Sequence, residues 1–346
     1  MDDTLPQAIE TTDELEELLS RPTPGVIDAL ASLRGDLVIL GAGGKMGPSL
    51  AKMAKRALVA SGSRHGVIAV SRFSDPAQRA ALEAAGVSTS SVDLLDVGAG
   101  ARLPTAGAVV FMAATKFGTQ GAESHTWAVN AHLPGMVAQH YRGVPIVAFS
   151  SGNVYPFVPV AQGGATEATP PRPVGSYAWS VLARERIFEH FSREHGTPVV
   201  LIRLNYAVGL RYGVPVDVAV KVRDGVPIDL AMGYANIIWQ GDANAMALRS
   251  FEVAASPPRP LNVTGPETVS IREMAMRFGD RLGREAVFSG AEEETALLND
   301  ASAAFHCFGP PLVSLDRLIG WVAHWVGNGR PLSDRPTHYE TRDGVF

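Results

Sequence analysis

Two hydroxyl side chains are placed where they could handle a proton on a substrate oxygen. Ser151 follows the apolar run Ile146–Phe149 in Phe149-Ser150-Ser151-Gly152-Asn153-Val154-Tyr155, and Tyr177 opens the long helical pattern Ala178–Glu194. A hydroxyl at the end of a buried strand can bond a substrate carbonyl or alcohol. Asn153, beside Ser151, and Asn205, just past the apolar run Val199–Leu204, are candidate substrate contacts with Ser151. A third reactive candidate is Lys116 in Met112-Ala113-Ala114-Thr115-Lys116. Its ammonium would stand near a ligand's phosphates or ring, and the alternative is an ordinary surface lysine.

A backbone feature completes the set. Gly41, Gly44 and Gly47 are spaced G-x-x-G-x-x-G, enclose Lys45 and Met46, and follow the apolar, β-branched run Leu37–Leu40. An apolar helical face (Leu50, Met53, Ala54, Ala57, Leu58) comes next. Strand, tight glycine turn and helix start make a cradle for linked phosphates: the turn lets amides approach, and the helix dipole favours negative charge. A structural turn without a ligand is the competing reading.

These residues need elements to hold them. Short apolar strands are expected at Leu37–Leu40, Val67–Val70, Ser91–Leu94, Ala108–Met112, Ile146–Phe149 and Val199–Leu204, with Ala/Leu-faced helices between them. That alternation predicts an α/β chain with a doubly wound, Rossmann-type parallel sheet, whose ligands sit off the carboxyl ends of the strands. The second strand ends at Arg72, where a ribose 2′-phosphate usually meets arginine and a free 2′-hydroxyl meets an acid. With Lys45 adding charge on that side, NADP is expected and NAD is the alternative. Asp93 and Leu94 end the third strand, as an acceptor for an adenine amino group and a surface for its ring; otherwise Asp93 caps a turn. The small Ala113 and Ala114 let the cofactor pass close to the chain.

Around this body we expect residues 1–35 to form a helical extension, with Thr12 or Asp13 capping its first helix and Val26–Leu33 forming a second. Residues 36–205 form the dinucleotide-binding domain, and 206–346 a smaller, glycine- and proline-punctuated substrate lobe in which Ser270 caps a helix to Leu282. The polar tail Pro336–Gly344 would order over that lobe or form a subunit contact.

With 46% hydrophobic and 19% charged residues among 346, the composition is that of a globular chain with a large core. The net charge of −5 advertises no nucleic-acid partner. A single cysteine, Cys307, rules out a disulfide within the chain and suits a reducing cytoplasm. No membrane span or leader is apparent, so a cytoplasmic location is expected. The nine histidines show no metal-ligand spacing.

Together, these residues resemble the extended short-chain dehydrogenase/reductase family, its NAD-dependent epimerase/dehydratase group, over roughly residues 36–285. The resemblance rests on the three glycines, Asp93-Leu94, Ala113–Lys116, the Ser151 segment, Arg203-Leu204-Asn205 and Leu261-Asn262-Val263-Thr264-Gly265. It implies a nicotinamide cofactor, Asn130 beside it, Ser151 and Tyr177 as catalytic hydroxyls, and a homodimer built through paired helices.

Two departures bear on function. The family's Y-x-x-x-K reads Tyr177-Ala178-Trp179-Ser180-Val181, so valine replaces the lysine that lowers the tyrosine pKa. At an ordinary pKa of about 10, only about one tyrosine in a thousand is phenolate at neutral pH. Tyr177 is thereby weakened as a base but less so as a proton donor in reduction. Lys116 is the first candidate to replace the charge. Arg184 lies about 10 Å along the helix, which is far for direct contact, and His125 is a further candidate.

The second departure is Asn236, near the position where members acting on nucleotide sugars carry a phosphate-gripping arginine. The expected activity is therefore oxidoreduction or epimerisation at a hydroxyl or keto carbon of a small sugar-like or hydroxy-acid substrate. The alternative is a non-catalytic dinucleotide-binding sensor or scaffold.

Overall fold

The computed structural model describes residues 5–116, 118, 121–333 and 335–345. Strand β1 (Leu37–Leu40) has no solvent exposure along its whole length, because helices cover both of its faces. It is flanked by β2 (Val67–Ser71) and β3 (Ser88–Ser91) on one side and by β4 (Ala108–Phe111), β5 (Ile146–Ser151), β6 (Val199–Leu204) and β7 (Arg259–Val263) on the other. All pairings are parallel, in the order β7-β6-β5-β4-β1-β2-β3. The winding reverses between β1 and β4, and a crevice opens at the carboxyl ends of such a pair.

The helices follow from local chemistry. The first, α1 (Thr12–Leu19), is capped by Thr11, one residue before the expected cap, in a reciprocal capping box with Glu14. Then α2 (Pro24–Ala31) starts two residues early because Pro24 suits a first helical turn. On the sheet's first half come α3 (Gly47–Ala60) and α4 (Pro76–Ala84). The single turn α5 (Glu123–Trp127) leads through a π-helical stretch, Ala128–His132, into α6 (Leu133–His140). Next is the long α7 (Gly175–His195). Beyond it lie α8 (Val214–Asp224), α9 (Gln240–Arg249), α10 (Ile271–Leu282, capped by Ser270), α11 (Ser302–Phe308) and α12 (Leu315–Gly327).

Alternation along β1 sorts the core. Leu37 and Ile39 pack towards α2, α3 and α9, whereas Val38 and Leu40 pack towards α6 and Phe188 of α7. A third apolar cluster joins α8, α10 and α12 to α1 and to Val181.

Two expectations need correction. The third strand is Ser88–Ser91, three residues earlier than expected, while Val92 and Leu94 turn under the sheet into its core. The segment Arg259–Val263 returns to the sheet as a seventh strand, and α9 packs on α2 and α3. The chain therefore crosses the expected division at residue 205 twice, so 206–346 is not a self-contained lobe. The tail lies on the substrate side: Tyr339 is buried, and Arg342 donates to the Ala231 and Thr295 carbonyls at 3.0 and 2.8 Å.

Candidate active site

The glycine-turn half of the crevice is built from backbone. Gly41 has φ +87°, and a Cβ there would lie 2.5 Å from the Ala113 amide nitrogen, so only glycine lets the turn pass the end of β4. At Gly47 a Cβ would lie 2.2 Å from the Ala42 carbonyl oxygen. Gly44 differs: a Cβ would meet nothing closer than its neighbour Gly41's oxygen at 3.5 Å. Its bare Cα leaves open room at the start of α3, and no side chain caps that helix. Uncapped helical amides facing an open space are the arrangement an anionic diphosphate requires.

A cavity of about 310 Å³ extends from this turn across the ends of β4, β5 and β6. Its wall brings together Gly41, Gly44, Lys45, Met46, Ala114, Lys116, Ser151, Asn153, Tyr177 and Asn205 of the expected residues. The wall does not include Gly47, Arg72, Asp93, Leu94, Ala113 or Asn130. Gly47 packs behind the turn, and Arg72 is exposed beyond the tip of β2. Asp93 accepts the Leu95 amide at 3.0 Å, the turn-capping alternative, and Leu94 lies in the core.

Asn130 is wholly buried. It accepts the Thr115 amide at 3.0 Å and donates to the Thr115 carbonyl and the Ser180 hydroxyl at 2.9 Å each. It thus locks the loop after β4 onto α7, and with it sets the course of Ala113–Lys116.

The other half, around Tyr177, is made of side chains. Ser151 donates to Asn153 Oδ1 at 2.8 Å and hydrogen-bonds with Tyr177. Val181, at the family's lysine position, is sealed in the apolar cluster and is not part of the cavity wall. Two of the wall's cations, Lys116 and Arg184, stand on the Tyr177 side instead. Lys116 Nζ lies 5.9 Å from the centre of the Tyr177 ring, and burial pulls its pKa down to about 8. Arg184, expected to be too distant, turns back into the wall, where Nη1 donates to the Phe149 carbonyl at 2.7 Å and Nη2 to Asn130 Oδ1 at 2.8 Å. Burial lowers its own pKa to about 10. Burial raises the Tyr177 pKa, while the Arg184 charge and the Ser151 hydrogen bond oppose that rise. Tyr177 therefore rests in its acid form. His125 is exposed on α5, away from this wall.

Sequence reasoning missed Tyr206, Tyr212 and Thr337, all in the wall. Tyr206 carried the best available signal: it directly follows the Asn205 strand end, and its backbone is held at φ +41°, a conformation non-glycine residues seldom adopt. Lys45 corrects a second expectation. Its side chain leaves the Arg72 side altogether, and Nζ donates to the Ala207 carbonyl at 2.8 Å and stands 4.0 Å over the Tyr212 ring.

Behind the wall, Glu185 receives Arg203 in a two-pronged buried pair at 2.9 and 2.7 Å and the Ser150 hydroxyl at 2.5 Å. Arg203 also donates to the Tyr155 hydroxyl at 2.7 Å, which donates to Asn262 at 2.9 Å. The Arg203 and Asn262 motifs therefore serve as one polar scaffold under the ends of β5, β6 and β7.

The NAD dependent epimerase/dehydratase family model matches residues 37–220, more than half of the chain. The chain belongs to this family of enzymes. No curated protein matches it. Among solved structures, the Thermotoga maritima UDP-glucose 4-epimerase with UDP-glucose is 17% identical, with a TM-score of 0.69 over 85% of this chain and 99% of that one. The Bacillus cereus UDP-glucuronic acid 4-epimerase with UDP-glucuronic acid and NAD is 16% identical, with a TM-score of 0.70 over 85% and 99%. MoeE5 with UDP-glucuronic acid and NAD is 19% identical, with a TM-score of 0.70 over 85% and 100%. At these identities the likeness establishes the shared Rossmann fold. Tyr177, the expected catalytic tyrosine, stands in the cavity wall, and Val181 holds the position where a lysine was expected.

Proposed function

We propose that this member of the epimerase/dehydratase family is an oxidoreductase or epimerase acting on a hydroxyl or keto carbon of a small sugar-like or hydroxy-acid substrate. The observation that carries the reading is the meeting of Ser151, Tyr177, Lys116 and Arg184 in one cavity with the glycine turn. The room at Gly44 and the uncapped start of α3 fit a dinucleotide's linked phosphates. Asp93 would offer an adenine amino group the carboxylate oxygen that the Leu95 amide does not take, and Ala114 in the wall would lie against the cofactor, while Leu94 stays packed in the core. When bound, the nicotinamide supplies hydride exchange with the substrate carbon.

The chain's own residues would handle the proton. Ser151 holds the substrate oxygen, and Tyr177 donates its phenolic proton as that oxygen gains charge. The resulting phenolate is stabilised by Lys116 and Arg184, which replace the charge that Val181 lacks. In the reverse direction the same cations favour loss of the Tyr177 proton.

NADP is the cofactor this reading favours. Arg72 directly follows β2, Ser71 Oγ and Gln78 Oε1 border Gly43, and Asp75 is engaged in capping α4. Cation and hydroxyl here suit a 2′-phosphate better than a bare 2′-hydroxyl.

A small substrate is supported by Asn236. Its Oδ1 accepts the Asn299 amide at 2.8 Å and its Nδ2 donates to the Glu267 carbonyl at 2.9 Å, so both ends of the amide are tied to the chain, and it carries no cation for a nucleotide's phosphates. A homodimer through α6 and α7 is supported by the exposed Trp127 and Trp179 beside them.

The test is calorimetry with NAD, NADH, NADP and NADPH, followed by turnover over a panel of sugars, polyols, hydroxy acids and ketones. Tight binding of a phosphorylated cofactor with Tyr177-dependent turnover is expected. Absence of binding by all four at millimolar concentration would end the proposal. Binding without any turnover would favour the sensor reading.

A further inference from the structure

Lys45 is left over from the chemistry assigned so far. It belongs to the glycine turn by sequence, yet its ammonium sits across the cavity, held by the Ala207 carbonyl and the Tyr212 ring. The neighbouring wall is Tyr212, Gly213 and Val214, the last being the first residue of α8. No side chain caps α8, so the positive end of its dipole adds to the Lys45 charge at the same spot.

The charge count around the cavity is unbalanced. Lys45, Lys116 and Arg184 line it, and among the described residues no aspartate or glutamate does. The acid whose charge acts on Lys45 is Asp217, which is occupied outside the wall in accepting the Thr337 amide at 2.8 Å and hydroxyl at 2.6 Å. Lys116 and Arg184 face Tyr177. Surrounding protein depresses the Lys45 pKa to about 7, with Asp217 raising it and Lys116 lowering it further. The Lys45 side chain is nonetheless solvent-exposed within the open cavity, so its ammonium is accessible to an incoming anion, whose charge would favour the protonated form.

We propose that Lys45, with the start of α8, binds the carboxylate of the substrate. This rests on the reading above and narrows its substrate class to acids: a sugar acid or hydroxy acid whose carboxylate lies on the Lys45–Tyr212 side. Its reacting carbon then faces Ser151 and Tyr177. Lys45 is a specificity residue in this scheme, and its side chain takes no part in holding the cofactor's phosphates.

The experiment uses the full-length protein saturated with whichever nicotinamide cofactor it binds best. Glycolate, L-lactate, D-gluconate and D-glucuronate are each titrated against the matching primary amide, with tryptophan fluorescence as readout. At least one acid is expected to bind tenfold or more tighter than its amide. In Lys45→Gln that ratio should fall below about twofold, and in Lys45→Arg it should largely persist. The cofactor Kd should change far less than the acid Kd in both variants. The proposal is overturned if no acid outcompetes its amide or if Lys45→Gln keeps the preference. It is equally overturned if that variant loses cofactor affinity instead, since the ammonium would then belong to the phosphates. Wild-type protein that binds no dinucleotide sinks the broader reading as well. Normal dinucleotide binding without acid preference sinks only this inference.

Discussion

The two halves of the crevice are built from different material. Around Gly41–Gly47, recognition is a matter of where the backbone can go, and side chains matter mainly by being absent. Around Tyr177, recognition depends on side chains delivered from β4, β5, α7 and the segment after β6. A backbone site tolerates almost no added atom and is written in one stretch of sequence. A side-chain site can exchange one cation for another, as the proposed transfer of charge from position 181 to Lys116 and Arg184 would require, provided the field at the phenol is kept.

That contrast can be broken by experiment. In the side-chain half, Tyr177→Phe should lower turnover by about 10²- to 10⁴-fold, the range for losing a positioned acid. Cofactor affinity should stay within about threefold by calorimetry, and a joint collapse of both would erase the distinction. In the backbone half, Gly44→Val should do the reverse. It fills the open room at α3 and should weaken cofactor binding about 100-fold or more, with the melting temperature little changed because nothing in the protein occupies that space.

The scaffold beneath the side-chain half should fail as a stability element. Glu185→Gln leaves Arg203 buried without its counter-charge, since both side chains are at most 5% exposed. A loss of about 3–5 kcal/mol in denaturant unfolding is expected. An unchanged midpoint would show that the pair is dispensable.

A smaller effect concerns Asp242, far from the chemistry. Burial raises its pKa from 3.8 to about 6, against the backbone amides of Leu312 and Val313. Because the folded state holds this proton more tightly than the unfolded chain, its contribution favours folding below pH 4. That contribution is lost as the pH climbs to about 6. Asp242→Asn should therefore flatten the stability change between pH 4 and pH 7 by about 1–3 kcal/mol relative to wild type. Parallel pH profiles of the two proteins would contradict it.

The same contrast explains what could be read from the chain alone. The glycine turn, β1 and α3 are adjacent in sequence, and local sterics decide them. The strands β1, β4 and β6 announce themselves because both faces are buried, which demands continuous apolar runs. The strand β3 is Ser-Thr-Ser-Ser at the sheet's edge, so it lacks that signature, and the apolar Val92 and Leu94 drew the expectation past it. At the other edge, β7 contains Pro260, which argues against a central strand but is tolerated where one side of the ladder is unpaired.

Arg184 and Lys45 were misplaced for a related reason. Long side chains reach about 6 Å or more from their own backbone, and only the tertiary fold says which way they turn. Tyr212 and Thr337 come from loop and tail, where neither period nor propensity points inward. Asn130 was legible as important yet not as structural, since its role is visible only with Thr115, Ser180 and Arg184 around it.

The tail has a practical consequence. A Cβ on Gly175 would lie 2.4 Å from the Gly344 carbonyl oxygen, and one on Gly344 would lie 2.3 Å from the Val174 carbonyl oxygen. Main chain thus rests directly on main chain two residues ahead of Tyr177. An affinity handle fused at the carboxyl end would load that junction and, through it, the phenol, so kinetic constants should be taken from protein freed of such a handle.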